Sequence, residues 1–229
     1  MKNDFFKFPS TPHLTLPDGI HIRGEKLLSE SERDAFLRHE LVVEEKVDGA
    51  NLGISFDVDG NIRAQNRGSY LHLPESGQWK KLGEWMASRT NTLFDHLADR
   101  YILFGEWCYA QHSVPYDWLP DWFLGFDIYD KRALRFLSCN RRDEFLEKMS
   151  IAQVPIIARG HFTFRDIPKL LSQSKFGSQP AEGLYLRFDQ DEQLGQRAKL
   201  VRPAFIQSIG QHWSQSEIRP NQLLQNIHT

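Results

Sequence analysis

Cysteine is scarce: Cys108 and Cys139 are the only two in 229 residues. Two thiols cannot build a disulfide framework or a cysteine zinc site. They suit reduced, buried side chains in a cytoplasmic protein. No run of about 18 consecutive apolar residues occurs, so no membrane span is expected. The opening MKNDFFKFPSTPHL has no unbroken apolar stretch and does not read as a secretory signal. The nine histidines include no H-x-x-x-H pair, so no zinc site is expected. A dominant charge sign is missing too: Lys+Arg total 28 and Asp+Glu 30, a net charge of -2. That excludes a globally basic nucleic-acid binder driven by counterion release, while a local basic groove stays open. Internal repeats, low-complexity tracts and long linkers are also missing, so residues 1–229 are expected to form a single domain.

What is present is core-forming material. Hydrophobic residues make up 40 % and aromatic residues 12 %, enough to bury a sizeable core and to exclude general disorder. The stretch up to about Gly24 reads as an extended lead-in. Ser29 and Glu32 form a capping box that starts a short helix. Leu41 to Val47 is β-branched and apolar and reads as a strand. Asp59-Gly60 lies between Gly53–Val58 and Ile62–Asn66, which predicts a hairpin with a type I′ turn. Trp79, Leu82, Trp85, Met86, Leu93 and Leu97 recur at near-helical spacing and predict an amphipathic helix with a core-facing stripe. Strands are expected at Tyr101–Trp107, Trp122–Tyr129 and Val154–Arg159, with a final pair at Leu184–Phe188 and Arg197–Val201. Helices are expected from Asn140 to Met149, over Ile167–Gln173, and after Pro203. Without a regular βαβ rhythm, this mixture predicts an α+β fold of largely antiparallel sheets with flanking helices.

The segment Glu44-Glu45-Lys46-Val47-Asp48-Gly49-Ala50-Asn51 sets a lysine between an apolar strand and a glycine turn, with acids on both sides. Alone it reads first as a solvated strand-end lysine, with a nucleophile on a rigid edge as the alternative. A lysine attacks only when neutral. With a reference pKa of about 10.4, roughly one in ~2,500 is neutral at pH 7. Nearby cations or a bound metal lower that pKa, whereas the flanking acids raise it, so cationic help must come from elsewhere in the chain. Arg67 and Lys199 are candidates, and Arg197 shares a strand face with Lys199. Glu106 and Glu182 each stand beside an apolar run, as ligands or ion-pair partners do. Asp189, Asp191 and Glu192 read as a solvated turn, because the spacing of a calcium loop is missing. His112 reads as a loop histidine, with stacking on a nucleic-acid end as the alternative.

The order of the segments carries more than any one of them. Lys46-x-Asp48-Gly49 is followed by Arg67, then Gly105-Glu106, Phe126-Asp127-Ile128, Glu182-Gly183-Leu184-x-x-Arg187 and Lys199-Leu200-Val201-Arg202. This series resembles motifs I, Ia, III, IIIa, IV and V of the covalent nucleotidyltransferase superfamily of DNA ligases, RNA ligases and mRNA capping enzymes. Glu45-Lys46-x-x-Gly49-x-Asn51 and the lead-in Phe8–Leu14 are most similar to ATP-dependent RNA ligases of the nick-sealing branch.

The resemblance implies a nucleotidyltransferase (ATP-grasp-like ligase adenylation) domain, with the nucleotide in a groove between sheets and Lys46 at its floor. It implies that Lys46 attacks the α-phosphorus of ATP to form lysyl-AMP, and that Lys199 steadies the charge developing there. By the same resemblance, Arg67 meets a phosphate, Glu106 the ribose hydroxyls and Phe126 the adenine ring. Glu45 and Asn51 belong to the nucleotide site, and Glu182 helps hold Mg2+ or Mn2+. The implied activity is the joining of RNA 5′-phosphate and 3′-hydroxyl ends, as in RNA repair. The alternatives are a DNA ligase, a polynucleotide 5′-adenylyltransferase, or a non-catalytic nucleotide- or end-binding protein. Many relatives carry a second motif V lysine. Position 201 here is Val, so Arg197 or Arg202 is expected to substitute. The 27 residues after Arg202 leave no room for an OB-fold, so the resemblance covers the nucleotidyltransferase domain alone and leaves room for a partner protein that supplies a nucleic-acid grip.

Overall fold

The computed structural model describes residues 5–16, 25–208 and 218–224, with the side chains of 206–208 excepted. Two antiparallel sheets face one another. One has four strands in the order β7-β1-β8-β9: Ile156–Gly160, Leu41–Lys46, Gly183–Gln190 and Gln193–Val201. The other has five, in the order β3-β2-β4-β5-β6: Ile62–Gln65, Ala50–Phe56, Tyr101–Trp107, Phe123–Asp130 and Arg135–Phe136. Both orders are open, so no barrel closes among the described residues. The fold is α+β and antiparallel, as expected.

Alternation along the strands explains the layering. Residues directly opposite one another in an antiparallel pair share a face, and so do residues two apart. In the four-stranded sheet, Leu41, Val43, Leu184, Leu186, Ala198 and Leu200 therefore point the same way and form one buried cluster with Phe36. Phe36 comes from α1 (Glu30–Phe36), which carries the predicted Ser29–Glu32 capping box. The other face carries Glu44, Lys46, Tyr185, Arg187, Arg197 and Lys199. In the five-stranded sheet, Leu52, Ile54 and Phe56 pack on Leu82, Trp85, Met86, Leu93 and Leu97, while Asn51 and Glu106 pair on the opposite face. The two polar faces meet across a cleft.

Buried charge closes one end of this cleft. Asp127 on β5 accepts from Arg187 at 3.0 Å and from Arg197 at 2.6 Å, and none of the three side chains is more than 8 % exposed. Arg142, on α4 (Cys139–Lys148), pairs with Glu44 of one sheet at 2.7 Å and donates to the Phe126 carbonyl of the other at 2.8 Å. Buried carboxylates and guanidiniums persist only when paired and hydrogen-bonded, and here the pairing partners lie on opposite sheets. The described part of the lead-in crosses the same gap. Phe6 stacks on Tyr129 at 3.7 Å, Phe8 packs on Phe104 at 4.9 Å, and Leu14 N–H donates to the Lys199 carbonyl at 2.8 Å. Residues 17–24 of the predicted lead-in lie outside the described residues.

Four local expectations are corrected. The stripe from Trp79 to Leu97 is not one helix: a 3-10 turn at Gly77–Trp79 precedes α2 (Leu82–Ala87) and α3 (Thr90–Leu97). Apolar spacing reports a shared face, and successive short helices laid on one sheet preserve that face. The Asp59-Gly60 hairpin is present without a two-residue type I′ turn. Of its residues only Gly60 has positive φ, +80°, and Asp57 organises a wider loop by accepting from the N–H groups of Asp59 and Asn61 at 2.9 and 2.8 Å. Ser138, rather than Asn140, caps α4, its hydroxyl accepting from Arg141 N–H. The acidic turn is not wholly solvated, because Asp189 accepts from Cys139 N–H at 2.6 Å. Pro203 opens α5 (Pro203–Ser208), as predicted.

Candidate active site

Lys46 is the last residue of β1, opposite Gly183 of β8. Its Nζ donates to Glu182 in a close ion pair. Gly49, three residues on, sits against the Trp107 carbonyl, the Glu106 side chain and the Cys108 sulfur. A Cβ there would meet those atoms at 2.7, 3.0 and 3.2 Å. Glycine is needed for this close approach, which lets the Gly49 N–H reach Glu106 Oε1 at 3.2 Å. The KVDG segment thus brings β1 of one sheet against β4 of the other.

Lys46 borders a cleft between the two sheets, and concave sites of this kind are where small molecules bind. Glu45, Lys46, Asn51, Arg67, Glu106, Phe126 and Lys199 all line it; they come from β1, β2, β4, β5, β9 and the loop after β3. Glu182 is attached through its pair with Lys46. Every expected site residue is therefore brought to one place. The sequence reading missed Phe8, Thr11, Val154 and Tyr185, which also line the cleft. Thr11 and Tyr185 are joined by a 3.3 Å hydroxyl contact. The available signals were Tyr185 alternating with Gly183 and Arg187 on one strand face, and a Pro-interrupted aromatic lead-in that had to run extended.

The side chains differ in their freedom. The Glu45 carboxylate turns to the far face of its sheet, where it accepts from the Ser174 hydroxyl and, at 2.8 Å, from Lys175 N–H. Asp48 accepts from the N–H groups of Ser113 and Val114 at 2.6 and 2.9 Å. Asn51 Oδ1 is buried without a hydrogen-bond partner among the described residues, an acceptor at the cleft that lacks a donor there. The Arg67 guanidinium makes no ion pair among the described residues. Neither Arg197 nor Arg202, expected to stand in for a second motif V lysine, lines the cleft. Arg197 is bound to Asp127 and lies 4.4 Å over the Phe8 and Phe136 rings, and Arg202 donates to the carbonyls of Ala181 and Ser172. His112 is buried, 3.1 Å from Gln78 Oε1, which agrees with a structural loop histidine.

Burial and charge set the protonation states. Burial pulls the Lys46 pKa down, but Glu182, Glu106 and Asp48 outweigh it and hold the ammonium above its ordinary value. Burial raises the Glu106 carboxyl from 4.5 to about 7 against the opposing pull of Lys46 and Arg67. Lys199 is lowered by burial and by Lys46 and Arg67, although Glu25 sits 2.6 Å from its Nζ. His13, beside Glu25 at 3.5 Å, is lowered to about 4 by burial and by Lys199 and is neutral at pH 7. The cleft thus holds one locked ammonium, two further cations and a carboxyl poised near neutrality, a charge set that fits a polyphosphate with an attached nucleoside. No group of three or more His, Cys, Asp or Glu among the described residues could hold a metal ion unaided. One or two carboxylates beside a phosphate site do suit Mg2+, which is usually shared between protein and substrate.

A model of the RNA ligase family matches residues 39–201. Among solved structures, an apo variant of Naegleria gruberi RNA ligase matches with a TM-score of 0.61 at 16 % identity, covering 89 % of this chain and 57 % of that one. A variant with AMP and Mn gives 0.61 at 14 %, covering 89 % and 58 %. A variant with ATP and Mn gives 0.56 at 18 %, covering 74 % and 52 %. At these identities the likeness concerns the fold, and the chain spans just over half the length of those structures. No curated protein sequence matches significantly.

Proposed function

The chain belongs to the RNA ligase family, and from that premise we propose that it is the nucleotidyltransferase domain of an ATP-dependent RNA ligase, with Lys46 as the nucleophile. The observation that carries this reading is the convergence of Lys46, Glu106, Glu182, Arg67 and Lys199, five residues spread over 154 positions, on one cleft. The Naegleria structures with ATP or AMP and Mn support nucleotide and metal as ligands.

The neutral Lys46 amine attacks the α-phosphorus of ATP. A P–N bond forms, the bond to the β-phosphate oxygen breaks, pyrophosphate leaves and the amine gives up a proton. An RNA 5′-phosphate oxygen then displaces Lys46, forming an AMP-capped end. A 3′-hydroxyl attacks that end, sealing the strand and releasing AMP. The chain contributes chiefly position and charge, as phosphoryl transfer requires. Lys46 ends a paired strand, so its Nζ has a fixed origin. Its ion pair with Glu182 has to open before attack, because that carboxylate keeps the amine protonated. Lys199 and Arg67 offer charge to the phosphates, Phe126 offers a ring face to the base, and Glu106 and Asn51 offer oxygens to the ribose. Glu182 would hold Mg2+ or Mn2+, which supplies neutralisation of the phosphates when bound.

This reading extends to one nucleotidyltransferase domain over residues 1–229 acting in RNA repair, with a partner protein providing further grip on RNA. A reducing cytoplasmic setting suits Cys108 and Cys139, both buried and unpaired. No helix among the described residues is long and apolar enough to cross a membrane. The test is intact mass after incubation with ATP and Mg2+ or Mn2+, starting from protein stripped of bound AMP. The wild type gains one AMP and Lys46→Ala gains none. No gain in the wild type, or an equal gain in Lys46→Ala, overturns the reading. Nicked substrates with RNA or DNA at the 3′-hydroxyl side then distinguish the acceptor.

A further inference from the structure

The segment 218–224 lies outside the part matched by the family model, yet it packs on the loop that holds the turn after Lys46. It pairs with the loop after β4 through bridges between Pro220 and Ala110 and between Leu223 and Leu119. At its centre is Asn221, 6 % exposed. Asn221 Oδ1 accepts from Tyr116 N–H at 2.9 Å, and its Nδ2 donates to the Cys108 carbonyl at 2.8 Å and the Ala110 carbonyl at 3.3 Å. One amide therefore ties the start of loop 108–116 to its end. That loop in turn holds Asp48: Tyr116 Oη accepts from Asp48 N–H at 2.7 Å, and the Asp48 carboxylate accepts from Ser113 and Val114. The other side of Lys46 is held independently, by Glu45 on the 174–175 loop.

We propose that Asn221 is a positioning residue for the Lys46 nucleophile, acting through Tyr116 and Asp48. The proposal rests on Lys46 forming lysyl-AMP. The side-chain hydrogen bonds of Asn221 among the described residues all go to backbone groups of loop 108–116, and Asn221 does not itself line the cleft, so its effect falls on the placement of Nζ and not on nucleotide affinity. A misplacement of order 1 Å in a reacting group costs about a hundredfold in rate. Removing the staple is therefore expected to slow lysyl-AMP formation by roughly ten- to a hundredfold while leaving the half-saturating ATP concentration near that of the wild type.

The experiment compares Asn221→Ala and Tyr116→Phe with the wild type in single-turnover lysyl-AMP formation across ATP concentrations, at a temperature well below each unfolding midpoint. Amide hydrogen exchange is followed by mass spectrometry over 47–50 and 108–116. Tyr116→Phe deletes one hydroxyl from a buried ring and carries the test if Asn221→Ala does not fold. The expected result is a lower maximal rate with unchanged half-saturation, and faster exchange at 47–50 in both variants. Wild-type rates at saturating ATP in a folded variant overturn the proposal, as does a loss confined to half-saturation. Unchanged exchange at 47–50 overturns it even if the wild type forms no lysyl-AMP, an outcome that would itself refute only the reading of Lys46.

Discussion

Replacing Glu106 by Gln is expected to make the ligand-free protein more stable above neutral pH while crippling nucleotide chemistry. Glu106 shares the cleft with Lys46 and Arg67, but burial dominates and lifts its carboxyl from 4.5 to about 7. A raised acid pKa means that the folded state holds the proton more tightly than the unfolded chain. Between pH 4.5 and 7 the folded protein is therefore protonated at this site while the unfolded chain is not, and stability falls as pH rises through that window. Each tenfold in proton affinity is worth about 1.4 kcal/mol, so the full penalty at pH 8 is roughly 3 kcal/mol. Glutamine cannot ionise, and its amide oxygen can still accept from Gly49 N–H. The assay is urea unfolding of both proteins from pH 4.5 to 8.5. Titrating groups remote from the cleft cancel in the difference. The variant should match the wild type near pH 4.5 and exceed it by about 3 kcal/mol at pH 8. A difference that stays flat with pH would show that Glu106 titrates as an ordinary surface acid and would refute the electrostatic description of the cleft. Single-turnover AMP transfer, measured alongside, should fall in the same variant.

Two further perturbations test other parts of the structure. Asp127→Asn removes the one carboxylate among the described residues bound to both Arg187 and Arg197, leaving Arg187 with Asp189 at 3.6 Å and Arg197 against the Phe8 and Phe136 rings, and unfolding free energy should drop by about 3–5 kcal/mol; a loss below about 1 kcal/mol would show that the arginines repartner. Glu25→Gln frees Lys199 from a carboxylate that any incoming phosphate must displace, so pyrophosphate should bind tighter by about 1 kcal/mol, the upper scale of a part-exposed pair, in calorimetric titration; weaker binding would mean that Glu25 orients Lys199 instead.

Much of the site was legible because its chemistry sits on strands, where order along the chain and alternation of faces are both explicit. Lys46, Glu106, Glu182 and Lys199 each stand at or near the end of an apolar run that had to be a strand, and each lies at the cleft. Glu45 shows the limit: it adjoins Lys46 in sequence, but period-two alternation sends its carboxylate to the other side of the sheet. Arg197 was misjudged for a related reason. Its face was right, but the acid that neutralises it, Asp127, comes from a strand 70 residues away, and nothing local signals that pairing. The lead-in was read as extended without a destination, since Phe6, Phe8 and Thr11 acquire meaning only from Tyr129, Phe104 and Tyr185. Helix lengths failed where a shared apolar face was taken for a single axis.

The charged seal at Asp127 also makes the cleft a blind alley. Along β8, Arg187 lies four residues beyond Gly183, the partner of Lys46, and at about 3.3 Å per residue that is only ~13 Å of floor before the passage stops. A mononucleotide can enter such a recess and lie along it. A polynucleotide cannot thread through, because its chain would have to leave past buried arginines and the Phe6, Phe8 and Tyr129 rings. On the proposed reading, the dead end leaves only the terminus of a strand, presented from the mouth, within reach of Lys46.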